Sequence, residues 1–226
     1  MTTVLVLHSV SLMRSALEAL LRTETSFDVR ATGWRSVREH AEYTGHAGHA
    51  EYAGYPWYPA HTGGSGPDVC LVDLDCPDAR LLLEDGAGAG RAPGEAVVPG
   101  AGLVVLASAR RPGALRRAFE ARALGFVDKY GSAQRLIKGI TEVAAGGRFV
   151  DDSLAYGFLE ASRMPLTARE LSVLSRAAEG ESVAEIARGL HLSNGTVRNY
   201  MASATRKVGA RNRIDAIRIT RGAGWV

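Results

Sequence analysis

The stretch from Leu166 to Ile217, LTARELSVLSRAAEGESVAEIARGLHLSNGTVRNYMASATRKVGARNRIDAI, decides the reading of this chain. Thr167 precedes an apolar-periodic run, Leu171, Val173, Leu174 and Ala177, so a capped helix is expected there, stopped by Gly180. Val183–Leu190 reads as a short second helix with Ile186 and Leu190 on one face, and His191-Leu192-Ser193 as a turn. Asn194–Val208 reads as a longer third helix, ended by Gly209-Ala210-Arg211-Asn212. Arg213–Thr220 reads as a fourth, with Ile214 and Ile217 facing inward. Two helices joined by a short turn, the second rich in polar and basic side chains, form the pattern of a helix-turn-helix.

Charge points the same way. From Ile186 onward eight basic residues face one acidic residue, Asp215, a net of +7 over 41 residues, while the whole chain carries only +3. The preceding 185 residues therefore carry −4. An acidic body joined to a basic tail suits a regulatory domain attached to one that binds a polyanion.

Working back toward the first residue, apolar strands alternate with amphipathic helices. Val4–Leu7, Phe27–Ala31, Val69–Asp73, Leu103–Leu106 and Gly125–Val127 read as strands. Helices are expected after Ser9 (taken as the cap) through Leu12, Ala16, Leu17, Leu20 and Leu21, over Arg116–Ala123, and over Ser132–Ala145. This order predicts an α/β doubly wound, flavodoxin-like domain with a parallel sheet, followed by an all-α four-helix domain. The expected limits are 1–150, a linker at 151–164 that is helical in part over Leu154–Leu159, and 165–226. Asp73 ends its strand, where open α/β sheets place their sites.

Tyr43–Gly66 and Gly86–Gly102, rich in Gly with His and Tyr or with Ala and Pro, read as insertions. His40, His46, His49 and His61 have no zinc-type spacing, so no metal site is expected. Tyr52, Tyr55, Trp57 and Tyr58 could line a small-molecule pocket or cover a sheet edge. Cys70 and Cys76 read as reduced structural residues. The opening MTTVLVLHSVSLMRSALEALL lacks a signal peptide's basic region and cleavage site, and no apolar run reaches membrane-spanning length. The expectation is a cytoplasmic protein without membrane contact.

Read over some fifty residues without a gap, the tail resembles the LuxR-type four-helix DNA-binding domain. The shared features are the LT-x-RE opening, the Gly180 break, the E-I-A core, the LS turn and the TV pair. The first part resembles the receiver of NarL/FixJ-type response regulators through PDVCLVDLDCPDA around Asp73, ALGFVDK ending at Lys129, and AAGGRFVD. The resemblance implies that Asp73 stands at the phospho-acceptor position, Lys129 at that of the lysine that pairs with it, and Phe126 at the aromatic switch position. The acidic pair that holds Mg²⁺ in such receivers is replaced by His8 and Ser9. The hydroxyl residue ending the fourth strand is Ala107, with Ser108 one place late. Asp75 lies close in sequence but does not rebuild the ligand set. No cofactor is therefore expected, Mg²⁺ binding is expected to be weak or absent, and Asp73 and Lys129 are expected to form a structural ion pair.

In the tail, the resemblance places Arg198 and Asn199 at base edges, where Arg suits guanine and Asn adenine. Thr196, Tyr200, Arg206 and Lys207 are expected on phosphates. Ala202 replaces a polar base-reading residue and can only meet a thymine methyl. Val197, Met201 and Val208 are expected in the core. The function implied is that of a non-enzymatic transcription regulator, an atypical response regulator that binds double-stranded DNA as a homodimer or with a related regulator. The alternative is a ligand-sensing regulator whose receiver-like domain takes a small-molecule effector.

Overall fold

The structure, a computed structural model, describes residues 1–34, 66–76, 78–79 and 100–226. The four histidines and four aromatic residues singled out between positions 40 and 61 lie outside the described residues. So do the 43–66 insertion up to position 65 and the 86–102 insertion up to position 99. The chain divides into two compact units, Met1–Ser108 with Arg117–Ala155, and Ala109–Arg116 with Tyr156–Val226.

The first unit is built on six parallel strands: β1 (Thr2–Leu7), β2 (Phe27–Thr32), β3 (Val69–Asp73), β4 (Gly102–Ala107), β5 (Gly125–Asp128) and β6 (Phe149–Val150). Their spatial order is β2-β1-β3-β4-β5-β6, so the chain reverses direction across the sheet between β1 and β3. All five residues of β3 are buried, as expected of a central strand covered on both faces. The unit's helices are α1 (Ser11–Leu21) and α3 (Ala133–Ala144), while α2 (Pro112–Glu120) is divided between the units, its residues from Arg117 onward belonging to this one. One face of the core joins Val4, Val6, Leu71, Val104 and Val127 to Leu136, Ile140 and Val143 of α3.

Gly139 decides how closely α3 approaches the sheet. A Cβ there would stand 2.8 Å from Val127 Cγ2 and 3.0 Å from the Phe149 ring. Both are closer than packed carbon atoms tolerate.

Four local expectations need correction. Ser9 does not cap α1: the N-cap is Val10, without a side-chain bond, and the Ser9 hydroxyl is engaged elsewhere. Leu12, expected on the inner face, is 76% exposed. α2 begins at Pro112, four residues earlier than the apolar pattern suggested, because proline favours the first helical turn. β6 was not anticipated, since two residues carry no periodicity; its pairing with β5 alone defines it.

The second unit contains α4 (Ala155–Ser162), α5 (Ala168–Ala178), α6 (Val183–Leu190), α7 (Asn194–Lys207) and α8 (Arg213–Gly222). A 3₁₀ turn over Asp152–Leu154 leads into α4. Two clusters form its core. Val173, Ala177, Ile186, Ala187 and Val197 make one; Leu166, Leu174, Ala204, Ala216 and Val226 make the other. Among the described residues no helix is long and apolar enough to cross a membrane.

The close approach at Gly139 is testable. Gly139→Val should overpack the α3–sheet contact and cost about 1–3 kcal/mol, which calorimetry of the full chain should record as a lower melting temperature.

Candidate receiver pocket and nucleic-acid interface

Parallel strands bring their C-terminal ends to one edge of the sheet, and four of them deliver a pocket there. β1 delivers His8 and Ser9, β3 delivers Asp73 and Asp75, β4 ends on Ala107 before Ser108, and β5 delivers Lys129. Asp73, His8 and Ser108 are buried. The Lys129 ammonium lies 3.1 Å from Asp73 Oδ2, 3.3 Å from Asp73 Oδ1 and 2.6 Å from Asp75 Oδ2. Burial pulls its pKa down, but the bonds and charges of Asp75 and Asp73 outweigh this and hold it above the ordinary lysine range. The Lys129 backbone N–H is fixed by the Ala107 carbonyl, and the Asp75 N–H by Asp73 Oδ1. Phe126, behind the pocket on β5, is buried.

His8 has a defined tautomer. Its Nδ1 accepts the Val10 backbone N–H at 2.9 Å. A backbone amide can only donate, so Nδ1 is unprotonated and the ring proton sits on Nε2, directed toward Asp73 Oδ2 at 3.6 Å. Ser9 is occupied as well: its hydroxyl bonds Asp78 and the Cys76 sulfur, which also receives Trp34 Nε1–H at 3.0 Å. Nothing in the local sequence pattern announced this Ser9–Cys76–Trp34–Asp78 cluster, whose members lie up to 69 positions apart. Among the described residues no group of three His, Cys, Asp or Glu side chains is arranged to hold a metal.

The second site begins with the caps that fix the helix-turn-helix. Ser182 and Glu185 form a reciprocal capping box at the start of α6. His191 closes α6 in the left-handed region at φ 55°, a conformation that costs a side-chain-bearing residue free energy and turns the chain sharply. Ser193 then caps α7 by accepting the Thr196 N–H at 3.1 Å. Val197 and Ala204 are buried, and Tyr200, Met201 and Val208 pack against the two cores. Arg198, Asn199, Ala202 and Arg206 occupy the opposite, exposed stripe of α7.

The expected phosphate contacts divide. Arg206 is exposed. Thr196 shares its hydroxyl with Ser193 at 2.8 Å, and Tyr200 is half buried. The Lys207 ammonium is committed inward, 2.8 Å from Glu170 Oε2. Glu170 is buried and also accepts bonds from Ser203 Oγ (2.6 Å), Thr167 N (2.8 Å) and Thr167 Oγ1 (3.0 Å). Burial raises its pKa, but the bonds from Lys207, Ser203 and Thr167 prevail and hold it at about 2. The T-x-x-E spacing signalled half of this network as a capping box, whereas its partners on α7 lie 33 and 37 positions away. Ile214, expected to face inward, is 74% exposed, while Ile217 packs against the core.

A parallel-sheet unit with an aspartate and a lysine at the strand ends, joined to a helix-turn-helix unit, defines a two-domain DNA-binding regulator. Residues 164–220 match the family of bacterial regulatory proteins of the luxR type. The response regulator RamR of Streptomyces coelicolor is 47% identical over the whole of this chain and 98% of its own length. The transcriptional regulatory protein DesR of Bacillus subtilis is 33% identical over 70% of this chain and 75% of its own. A solved structure of RcsB from Salmonella enterica serovar Typhimurium matches 98% of both chains with a TM-score of 0.57 and 20% identity, a likeness of fold. The chain belongs to the LuxR-type, NarL/FixJ-like response regulators, the family of DNA-binding transcription regulators.

The Glu170 network makes a pH prediction. A carboxyl held at about 2 in the folded state, against 4.5 ordinarily, contributes stability that is full above about pH 4.5 and is lost as the pH falls toward 2. Wild type should therefore exceed Glu170→Gln in melting temperature at neutral pH, with the gap closing between pH 4.5 and 2. Lys207→Met should cost about 1.5–3 kcal/mol at pH 7, because it removes a charged donor from a buried carboxylate.

Proposed function

We propose that this response regulator binds promoter DNA as a dimer through the α6–turn–α7 unit, and that its receiver pocket operates without Mg²⁺-dependent phosphorylation. The working division is a receiver at 1–150, a connector at 151–164 and a DNA-binding domain at 165–226. The carrying observation is the state of the pocket. His8 presents a ring proton, not a lone pair, toward Asp73, Ser9 is bonded to Asp78 and Cys76, and Lys129 lies against both Asp73 and Asp75.

Mg²⁺ demands near-octahedral oxygen ligation at about 2.0–2.1 Å. These residues do not fit it. An imidazole N–H cannot ligate, and an ammonium at 2.6–3.3 Å from the carboxylate oxygens already neutralises the charge a cation would meet. Phosphoryl transfer depends on such neutralisation of the transferring group, so Asp73 is a poor acceptor here.

At the other site, Arg198 and Asn199 read base edges, Ala202 offers its methyl to thymine, and Arg206 takes a phosphate. Thr196 and Tyr200 flank the backbone from the more buried side of the stripe. Lys207 instead supports α7 through Glu170. The reading as a dimer is supported by Ile214, an apolar side chain left open on α8, and by a solved structure of two RcsB dimers bound to two parallel DNAs.

Incubation with acetyl phosphate and Mg²⁺ should leave no acid-labile phosphate on the chain. Asp73→Asn should bind promoter DNA with wild-type affinity in a titration. Stoichiometric labelling at Asp73 that tightens dimerisation would overturn the pocket reading.

A further inference from the structure

Beside the exposed stripe of α7 lies a groove of about 410 Å³, bounded by the start of α6, the outer side of α7 and the first residue of α8. Its floor is apolar, with Val183, Met201 and Ala202, and three arginines, Arg198, Arg206 and Arg213, also line it. Among the described residues no carboxylate lines it. Three guanidinium groups around one groove repel one another and are kept together at a cost unless an anion enters.

Arg213 is the unexplained member. It is the first residue of α8, where a helix carries partial positive charge and a cation is unfavourable. The nearest acid in sequence, Asp215, is taken by Arg211 and Arg218, at 3.6 and 2.8 Å. Arg213 forms no hydrogen bond or ion pair with any described residue.

Geometry identifies the anion. Arg198 and Arg206 are eight residues apart on one helix, about 12 Å along its axis at 1.5 Å per residue. The major groove of B-DNA is about 12 Å wide. With Arg198 against the base edges, the Arg206 end of α7 reaches the sugar-phosphate strand bordering the groove. The chain turns there into α8, bringing Arg213 to the same cavity.

We propose that Arg213 is a DNA-contacting residue that joins Arg206 on the phosphate strand bordering the groove that Arg198 reads, extending the interface onto the first turn of α8. The proposal rests on the DNA-binding reading above. Arg213 then adds affinity without sequence information, since phosphates are the same at every step.

The test uses the full-length chain, a duplex selected by the wild-type protein, and affinities measured from 50 to 300 mM salt. Arg213→Ala should lower the slope of log affinity against log salt by about 0.9, equivalent to a loss of about fivefold near 0.15 M. Base preference and melting temperature should stay unchanged, and Arg213→Lys should restore the slope. An Arg213→Ala protein with wild-type slope and affinity would overturn the proposal, and so would a changed base preference. A wild-type chain that selects no duplex would instead overturn the DNA-binding reading, and this proposal with it.

Discussion

Glu170 carries a carboxylate into the core of the DNA-binding unit, where only about 4% of the residue is exposed. A charge in such a place is tolerable only if its oxygens are fully hydrogen-bonded. Two of its donors come from Thr167 at the start of α5, and two from Ser203 and Lys207, four residues apart on α7. Residues four apart share a helix face, so the network fixes the rotation of α7 about its own axis. Once Ser203 and Lys207 face α5, Val197 and Ala204 enter the core and Arg198, Ala202 and Arg206 face outward. The exposed stripe of α7, which we propose meets DNA, is thus set by a buried acid that does not reach it.

The receiver pocket follows the same rule for its own buried acid, Asp73. Its acids stand at strand ends, and the protein supplies the compensation itself through Lys129 and the His8 ring proton. The Val10 amide locks that ring by claiming Nδ1. A carboxylate at position 8 would have left an acidic cavity in need of a cation. A histidine there leaves Asp73 facing a ring nitrogen at 3.6 Å and the Lys129 ammonium at 3.1 Å.

Much of this was legible in the sequence where the signal is local. The apolar runs Val4–Leu7 and Val69–Asp73 marked central strands, and the T-x-x-E and S-x-x-E spacings marked helix starts. The α7 periodicity separated Val197, Met201 and Val208 from the outward stripe. What stayed hidden depends on contacts between distant positions. Lys207 looked like one more basic residue on a DNA-binding helix, because its partner is 37 residues away. Ser9 had the chemistry of a cap but found Asp78 and Cys76 across the sheet edge instead. The charge count of the tail likewise overstated its reach: Arg211 and Arg218 pair with Asp215, Arg221 bonds the Ala178 carbonyl, and Lys207 serves Glu170. Arg188, Arg198, Arg206 and Arg213 stay exposed, the last three without a hydrogen bond or ion pair among the described residues, and the sequence pattern assigned the helix of Arg213 only an apolar role.

The choice between the two basic side chains follows the same division. The chain holds 27 lysines and arginines, of which only Lys129, Lys138 and Lys207 are lysines. Two of these three meet buried carboxylates, at Asp73 and Glu170. An ammonium is a compact charge with three freely rotating donors, so one Lys129 can reach three oxygens of two aspartates within 3.3 Å. A planar guanidinium could not meet both carboxylates in that space without tilting its fork away from one of them. Outward, the preference reverses. A rigid fork of donors suits guanine edges and phosphate oxygens, and its weaker hydration lowers the cost of leaving water for a DNA groove. Lysine meets the buried carboxylates Asp73 and Glu170, although buried Asp151 pairs with Arg135, so an exchange at Lys129 would preserve charge and lose the fit to two carboxylates at once.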